Sequence, residues 1–212
     1  MFFPDLFLPL QILKHPVNHV LIQHYRSGKD YISEHSDKTI DVVRGTNIVN
    51  VSLGAQRVMA LRTKRDRLRQ QQQQFGESAA SRDIQRIPLP HNSMFVMGPK
   101  TNAEWLHGIN HDNRPIQTKA EAEQFNNGER ISLTFRLIGT FLTADEKMIY
   151  GQGATRKTRE EAKPVILGTA EAEKLIQAFA EENQRSDFDW DANYGMGYDV
   201  LHFNPNSGQS DM

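Results

Sequence analysis

A chain of 212 residues with 38% hydrophobic content and a mean hydropathy of -0.61 has the composition of one soluble globular domain with a single core. A formal net charge of -1 and a pI near 6.7 exclude a global attraction to polyanions, so nucleic acid or an anionic membrane would need a local basic patch. The lack of cysteine excludes disulfides, thiolate metal sites and a cysteine nucleophile; it fits a cytoplasmic protein and leaves a nuclear one open.

The opening "MFFPDLFLPLQIL" is apolar, but it carries Asp5 and two prolines and lacks both a basic start and a small-residue cleavage site. It reads as core-packing sequence, not targeting, and no run reaches bilayer-spanning length. Residues 17–25, "VNHVLIQHY", form an expected first strand before the turn "RSGKD", with Gln23 and Tyr25 on one face. Further strands are expected at 46–54, 57–63, 86–90, 93–98, 104–109 and 129–141, separated by Gly, Pro and Asn, which predicts a mainly β jelly roll or barrel. Between two of them, about 64–84, a basic run passes into a glutamine tract and small polar residues, a composition that predicts a mobile loop. Lys64, Arg65, Arg67 and Arg69 in it are candidates for phosphate contact, weighed against an ordinary solvated loop.

"TKAEAEQFNNG" predicts a short helix that starts on a Thr118 to Glu121 capping box and stops at Asn-Asn-Gly. From about 170, "AEAEKLIQAFAEEN" predicts a helix whose Leu175, Ile176 and Phe179 make one apolar, core-packing face. The Gly-containing stretches "YGQGATRK" and "YGMGY" read as turn and connector, not phosphate loops. These elements give an expected core over 1–141, a C-terminal extension packing on it over 142–203, and a disordered tail over 204–212.

The candidate chemistry starts at "EHSD". On an extended segment His35 and Asp37 project to the same side, as a shared metal requires. In a chain with eight histidines one such pair also arises by chance on a polar loop, so a distant third ligand is needed. Two imidazoles and one carboxylate on one face leave three cis positions open on octahedral iron(II), enough for a bidentate oxo-acid and dioxygen. His107, in the short apolar strand "EWLHGI", is the best third candidate, although a buried histidine is commonly a hydrogen-bonded core residue. His91 and His111 are flanked by turn residues, and His24 alternates away from Gln23 and Tyr25.

"RISLTFR" supplies the rest. As a strand it points Arg130, Ser132, Thr134 and Arg136 to one face and Ile131, Leu133 and Phe135 to the other. Two inward guanidinium groups require anions, and Cα atoms roughly 20 Å apart suit a short dicarboxylate such as 2-oxoglutarate held between two reaching side chains. The alternative is a solvated face with surface arginines.

In order and approximate spacing, "LIQHY", "EHSD", "LPHNSMFVMG", "WLHGI" and "RISLTFR" resemble the catalytic core of AlkB-like iron(II)- and 2-oxoglutarate-dependent oxygenases over roughly residues 17–140. The resemblance implies a double-stranded β-helix with flanking helices and a C-terminal helical extension, iron on His35, Asp37 and His107, and 2-oxoglutarate on Arg130 and Arg136, helped by Tyr25, Gln23 and Ser132. It implies an enzyme, a dioxygenase using Fe(II), 2-oxoglutarate and dioxygen, which converts 2-oxoglutarate to succinate and carbon dioxide while oxidising a substrate C–H bond.

The chain departs from the family pattern in reading Gln23-His24-Tyr25 for the usual Asn-x-Tyr and Ser132 for the usual Asn. Thr39 stands where repair members commonly carry an acid that contacts the methylated base, and only 34 residues precede His35, where those members place a nucleotide-recognition lid. These departures, with "EHSDKT" and "YDVLHF", are similar to fungal AlkB-like oxygenases of secondary metabolism, in which Leu201 and Phe203 would wall an apolar substrate pocket beside Thr39. The first expectation is therefore a monomeric oxygenase of a small amino-acid-derived or other secondary-metabolite substrate, with no membrane partner. An oxidative demethylase of alkylated nucleic acid is the second, less favoured expectation, and an impaired member acting as a binding scaffold is the third.

Overall fold

A computed structural model describes residues 13–65, 82–167 and 170–201. The chain divides into two compact units, one of Met1–Asp37, Arg44–Ile138 and Asn183–Asp187, the other of Lys38–Val43, Gly139–Glu182 and Phe188–Met212.

The first unit is built from two four-stranded antiparallel sheets. In chain order its strands are β1 (His19–Tyr25), β2 (Ile32–His35), β3 (Ile48–Gly54), β4 (Arg57–Thr63), β5 (Ile84–Leu89), β6 (Ser93–Met97), β7 (Trp105–Ile109) and β8 (Arg130–Arg136). One sheet runs β1-β8-β3-β6 and the other β2-β7-β4-β5, so strands that follow one another in sequence repeatedly cross between sheets. This is the jelly-roll plan. Gly54 turns the corner between β3 and β4 at φ +91°, and a Cβ there would lie 2.5 Å from the Glu129 carbonyl oxygen. Pro88 is tolerated because β5 is an edge strand.

Register on the first sheet lines up rows of side chains. Gln23 faces Ser132, which faces Ser52; Leu21 faces Thr134, which faces Asn50; Tyr25 faces Arg130. Along β8 the usual alternation is inverted: Arg130, Ser132 and Thr134 are buried, whereas Ile131 is exposed. A buried polar row needs partners or a ligand. On the second sheet His35 lies directly opposite His107, and His107 opposite Leu61. Below them Tyr25, Met59, Leu61, Leu89 and Ile109 pack as an apolar cluster.

The sequence leaves out a short helix, α1 (Pro99–Glu104), placed between β6 and β7 with proline in its first turn. The single helix expected from "TKAEAEQFNNG" is instead three 3-10 turns, Ile116–Thr118, Glu121–Glu123 and Phe125–Asn127. The expected capping pair is replaced: Glu123 accepts from the Ala120 N–H at 2.8 Å and from Arg114 at 2.7 Å, and Lys119 donates to the Asp112 carbonyl at 2.9 Å. Positive φ at Asn126 and Asn127 stops any helix from continuing.

The second unit holds a small sheet, β11-β10-β9, of Lys163–Pro164, Met148–Gly151 and Thr140–Leu142, with helices α2 (Ala170–Gln184) and α3 (Trp190–Tyr194). Its core joins Ile40, Leu175, Ala178, Phe179, Tyr194 and Val200. The buried face of α2 runs Leu175, Ala178, Phe179, Glu182, at i, i+3, i+4, i+7; Ile176, expected on that face, is 52% exposed. Burial of Glu182 is possible because it accepts from the Tyr194 hydroxyl at 2.8 Å and from the Thr39 N–H at 3.1 Å and hydroxyl. "YGQGATRK" does turn, and Gln152 in it donates to the Ile40 and Val42 carbonyls at 2.9 and 2.8 Å. Leu201 is half-buried, and Phe203, Arg67, Arg69 and the tail over 204–212 lie outside the described residues.

Candidate active site

The two sheets of the first unit enclose a cavity. Gln23, Tyr25, Asn50, Arg130, Ser132, Thr134 and Arg136 line it from one sheet, and His35, Asp37, His107 and Ile109 from the other and its flank. Met59, Phe95 and Met97 make its apolar floor.

His35, Asp37 and His107 bring one ligand atom each to within 4.8 Å of one another. The two imidazole centroids are 4.3 Å apart, and His35 Nε2 is 3.9 Å from Asp37 Oδ1. This closeness depends on Gly108: a Cβ there would meet the Ile32 carbonyl oxygen at 2.9 Å and the Glu34 nitrogen at 3.1 Å, so glycine lets β2 and β7 approach. His35 Nδ1 is 2.8 Å from the Ser33 carbonyl oxygen, which can only accept, so Nδ1 carries the proton and Nε2 keeps its lone pair. Asn102, 3% exposed on α1, grips the Asp37 backbone from both sides: its Oδ1 accepts from the Asp37 N–H at 2.9 Å and its Nδ2 donates to the Asp37 carbonyl at 2.8 Å. Arg136 donates to Asp37 Oδ2 at 3.0 Å through Nη2 and 3.3 Å through Nε. Its guanidinium therefore sits beside the carboxylate and leaves Oδ1 turned toward His35.

Burial, and then the neighbouring His35, push the His107 imidazole down to about 4, so it is neutral at physiological pH. The remaining candidate histidines have other engagements. His91 accepts from the Gly54 N–H at 2.9 Å, His111 lies 2.7 Å from the Lys29 carbonyl, His24 pairs with Glu129 at 2.7 Å, and His15 accepts from the Asn47 N–H at 3.0 Å.

Arg130 is 1% exposed. Its Nη2 donates to Ser52 Oγ at 2.8 Å and Asn50 Oδ1 at 3.1 Å, while Nε and Nη1 are buried without a hydrogen-bond partner among the described residues. The guanidinium carbons of Arg130 and Arg57 lie over the Tyr25 ring, 5.1 and 5.8 Å from its centroid. Burial raises the Tyr25 hydroxyl above its usual value, and the two arginines only partly oppose this, so it stays protonated as a donor. Arg57, 5% exposed, spends its own donors on the Ser27, Asp30 and Asn110 carbonyls at 3.2, 3.1 and 2.6 Å.

Residues 8–136 match the family model described as 2OG-Fe(II) oxygenase superfamily. The chain belongs to that superfamily. The oxygenase is 35% identical over 122 residues to DNA oxidative demethylase ALKBH2 of Homo sapiens, covering 57% of this chain and 40% of that one. It is 31% identical over 130 residues to DNA oxidative demethylase ALKBH2 of Arabidopsis thaliana, covering 57% and 38%. It is 27% identical over 124 residues to Alpha-ketoglutarate-dependent dioxygenase alkB homolog 3 of Homo sapiens, covering 58% and 37%. It is thus similar to AlkB-type enzymes, spanning about two fifths of the length of these relatives, and its superfamily implies Fe(II), 2-oxoglutarate and dioxygen.

The residues in the cavity fit those groups. A buried imidazole nitrogen without a partner, His107 Nδ1, stands beside a second imidazole and a carboxylate, a donor set suited to a borderline divalent metal with open positions. Two unpartnered guanidinium donors on Arg130 suit an anion.

Sequence reasoning did not identify Asn50, Asn102 or Arg57. The signal available for Asn50 was an asparagine inside an otherwise β-forming strand, "NIVNVSLG", where its depleted residue type called for a reason. One expectation needs correcting. Lys64 is 5% exposed, and its N–H bonds the Glu104 carbonyl at 2.8 Å, so it belongs to the packed end of β4 and is not a surface phosphate contact; Arg65 is exposed.

Proposed function

We propose that His35, Asp37 and His107 hold the iron, that Arg130 and Arg136 with Tyr25, Gln23 and Ser132 hold 2-oxoglutarate, and that the substrate is an alkylated nucleic-acid base, demethylated oxidatively. The observation that carries this is the closed set of three ligand atoms within 4.8 Å beside a buried arginine with two free donors. The choice of substrate class is supported by the named activity of the relatives at 35% and 31% identity, DNA oxidative demethylase.

Bound there, iron(II) supplies the coupling of dioxygen reduction and 2-oxoglutarate decarboxylation to C–H oxidation. The chain's own residues set the stage for that. The Ser33 carbonyl fixes the His35 tautomer, and Asn102 fixes the Asp37 backbone, so two donors are aimed before any ligand arrives. Arg136 satisfies one Asp37 oxygen at 3.0 Å. Arg130 receives the distal carboxylate and the protonated Tyr25 hydroxyl adds a donor, while Met59, Phe95 and Met97 exclude water.

A second reading, oxidation of a small amino-acid-derived molecule, draws on Thr39. Its N–H and hydroxyl are both committed to Glu182, so position 39 offers no acid and no free hydroxyl to a base. One assay separates the readings: succinate and formaldehyde are measured with N-methylated oligonucleotides and with a panel of amino acids and amines, each with Fe(II) and 2-oxoglutarate. Formaldehyde from an oligonucleotide is the expected result. Substrate-stimulated succinate from a small molecule alone would overturn the nucleic-acid reading in favour of the second.

A further inference from the structure

The buried polar row of the first sheet is wired through one amide. Asn50 on β3 reaches across to β8: its Nδ2 lies 2.6 Å from Ser132 Oγ and 3.0 Å from Thr134 Oγ1, and its Oδ1 lies 3.1 Å from Arg130 Nη2. Amide orientation follows from chemistry. A guanidinium can only donate, so the atom facing Arg130 must be the carbonyl oxygen, and the NH2 group must face the two hydroxyls. Each hydroxyl is thereby an acceptor toward Asn50, and its own proton is left to point elsewhere. Both residues line the cavity, as do Asn50 and Arg130.

We infer that Asn50 is a positioning residue for the cosubstrate: it turns Ser132 and Thr134 into hydrogen-bond donors toward the cavity and clamps Nη2 of Arg130, so that the two hydroxyl protons and an unpartnered N–H of Arg130 together meet a carboxylate. This rests on the assignment of Arg130 to 2-oxoglutarate. It also gives physical content to serine at 132, where the family pattern has asparagine. The carboxamide is present in the site, carried by the neighbouring strand one row away, since Asn50 pairs with Thr134 and Ser52 with Ser132.

Two substitutions separate the wiring from the bulk of the side chain. Asn50→Asp keeps the shape, but its oxygens accept from Arg130 and from both hydroxyls, so the protons turn away from the cavity and a negative charge faces the anion. Asn50→Leu removes the hydrogen bonds without adding charge. Binding is measured by calorimetry with Mn(II) in place of iron, using 2-oxoglutarate and pyruvate, which shares the 2-oxo acid but lacks the distal carboxylate. Expected is a Kd for 2-oxoglutarate raised about tenfold in Asn50→Leu and more than that in Asn50→Asp, with the Kd for pyruvate and for Mn(II) unchanged, since each lost bond to a charged group is worth roughly that factor. A purely structural role would weaken both oxo-acids together, and that result would overturn the inference. So would unchanged 2-oxoglutarate binding in both variants while Arg130→Met weakens it, an outcome that leaves the function reading standing. If Arg130→Met binds 2-oxoglutarate as the parent does, the function reading falls and the inference with it.

Discussion

The two sheets that face the cavity solve different problems. The β1-β8-β3-β6 sheet presents its polar groups in rows fixed by alternation, and every one of them is a hydrogen-bond donor or can be made one: Arg130, Ser132, Thr134, Asn50. The β2-β7-β4-β5 sheet presents lone pairs at a strand end, where His35 closes β2 and Asp37 follows it, with His107 opposite. A donor-rich wall can be built by any regular strand. A chelating wall needs irregularity, here a register shift between Ile32 and His35, a glycine at 108 and a side chain from α1 holding the loop.

If this division holds, damage to each wall has a distinct signature. The largest effect is expected for His107→Ala: metal uptake, measured by anaerobic titration with iron(II), falls by more than about a hundredfold, and cosubstrate binding falls with it, because one of the three proposed ligands is gone. Next, Arg130→Met is expected to raise the Kd for 2-oxoglutarate by roughly ten- to a hundredfold while metal uptake stays at the parent level, given about 1.5–3 kcal/mol for a charge-assisted hydrogen bond. Loss of metal in this variant would break the comparison. Gly108→Ala touches neither ligand nor anion, yet its Cβ would press on the Ile32 carbonyl at 2.9 Å. It is expected to weaken metal binding about tenfold and to lower Tm by a few degrees, read by thermal unfolding with and without Mn(II).

The smallest effect is on stability against pH. His107 in the folded, metal-free protein titrates at about 4 against 6.5 for the free side chain, burial being the main cause. Between those values the unfolded chain binds more protons, so stability rises with pH across the window and is lost as pH falls from about 6.5 toward 4. Denaturant melts of the metal-free protein in that range are expected to lose their pH slope in part when His107 is replaced by glutamine.

How much of this was legible in the sequence differs by wall. "RISLTFR" announced the donor wall because period-two alternation alone assigns faces, although the strand ends at Arg136, short of the expected 129–141, and Thr140–Leu142 form a separate strand. His35, Asp37 and His107 were legible as residue types, but their approach was not, since it rests on Asn102, 65 residues from Asp37 in the chain, and on a short helix with little pattern of its own. Ile176 illustrates the same limit: at 3.6 residues per turn it and Leu175 are both plausible core positions, and packing against Tyr194 and Ile40 chose Leu175 with Ala178 and Phe179. The three 3-10 turns escaped because capping and stop signals do not register the ion pairs by which Arg114 and Lys119 hold Glu123 and Asp112 in place.

The direct opposition of His35 and His107 also gives the molecule a form of proofreading. Side chains on paired strands alternate faces with a period of two, so a slip of one residue between β2 and β7 would send the two imidazoles to opposite sides of the sheet. A chain that had paired its strands wrongly would still be sheet, and could still be compact, but it could not chelate. If His35 and His107 hold the metal as proposed, metal capture would select, among near-native pairings, the one arrangement that is also competent for chemistry.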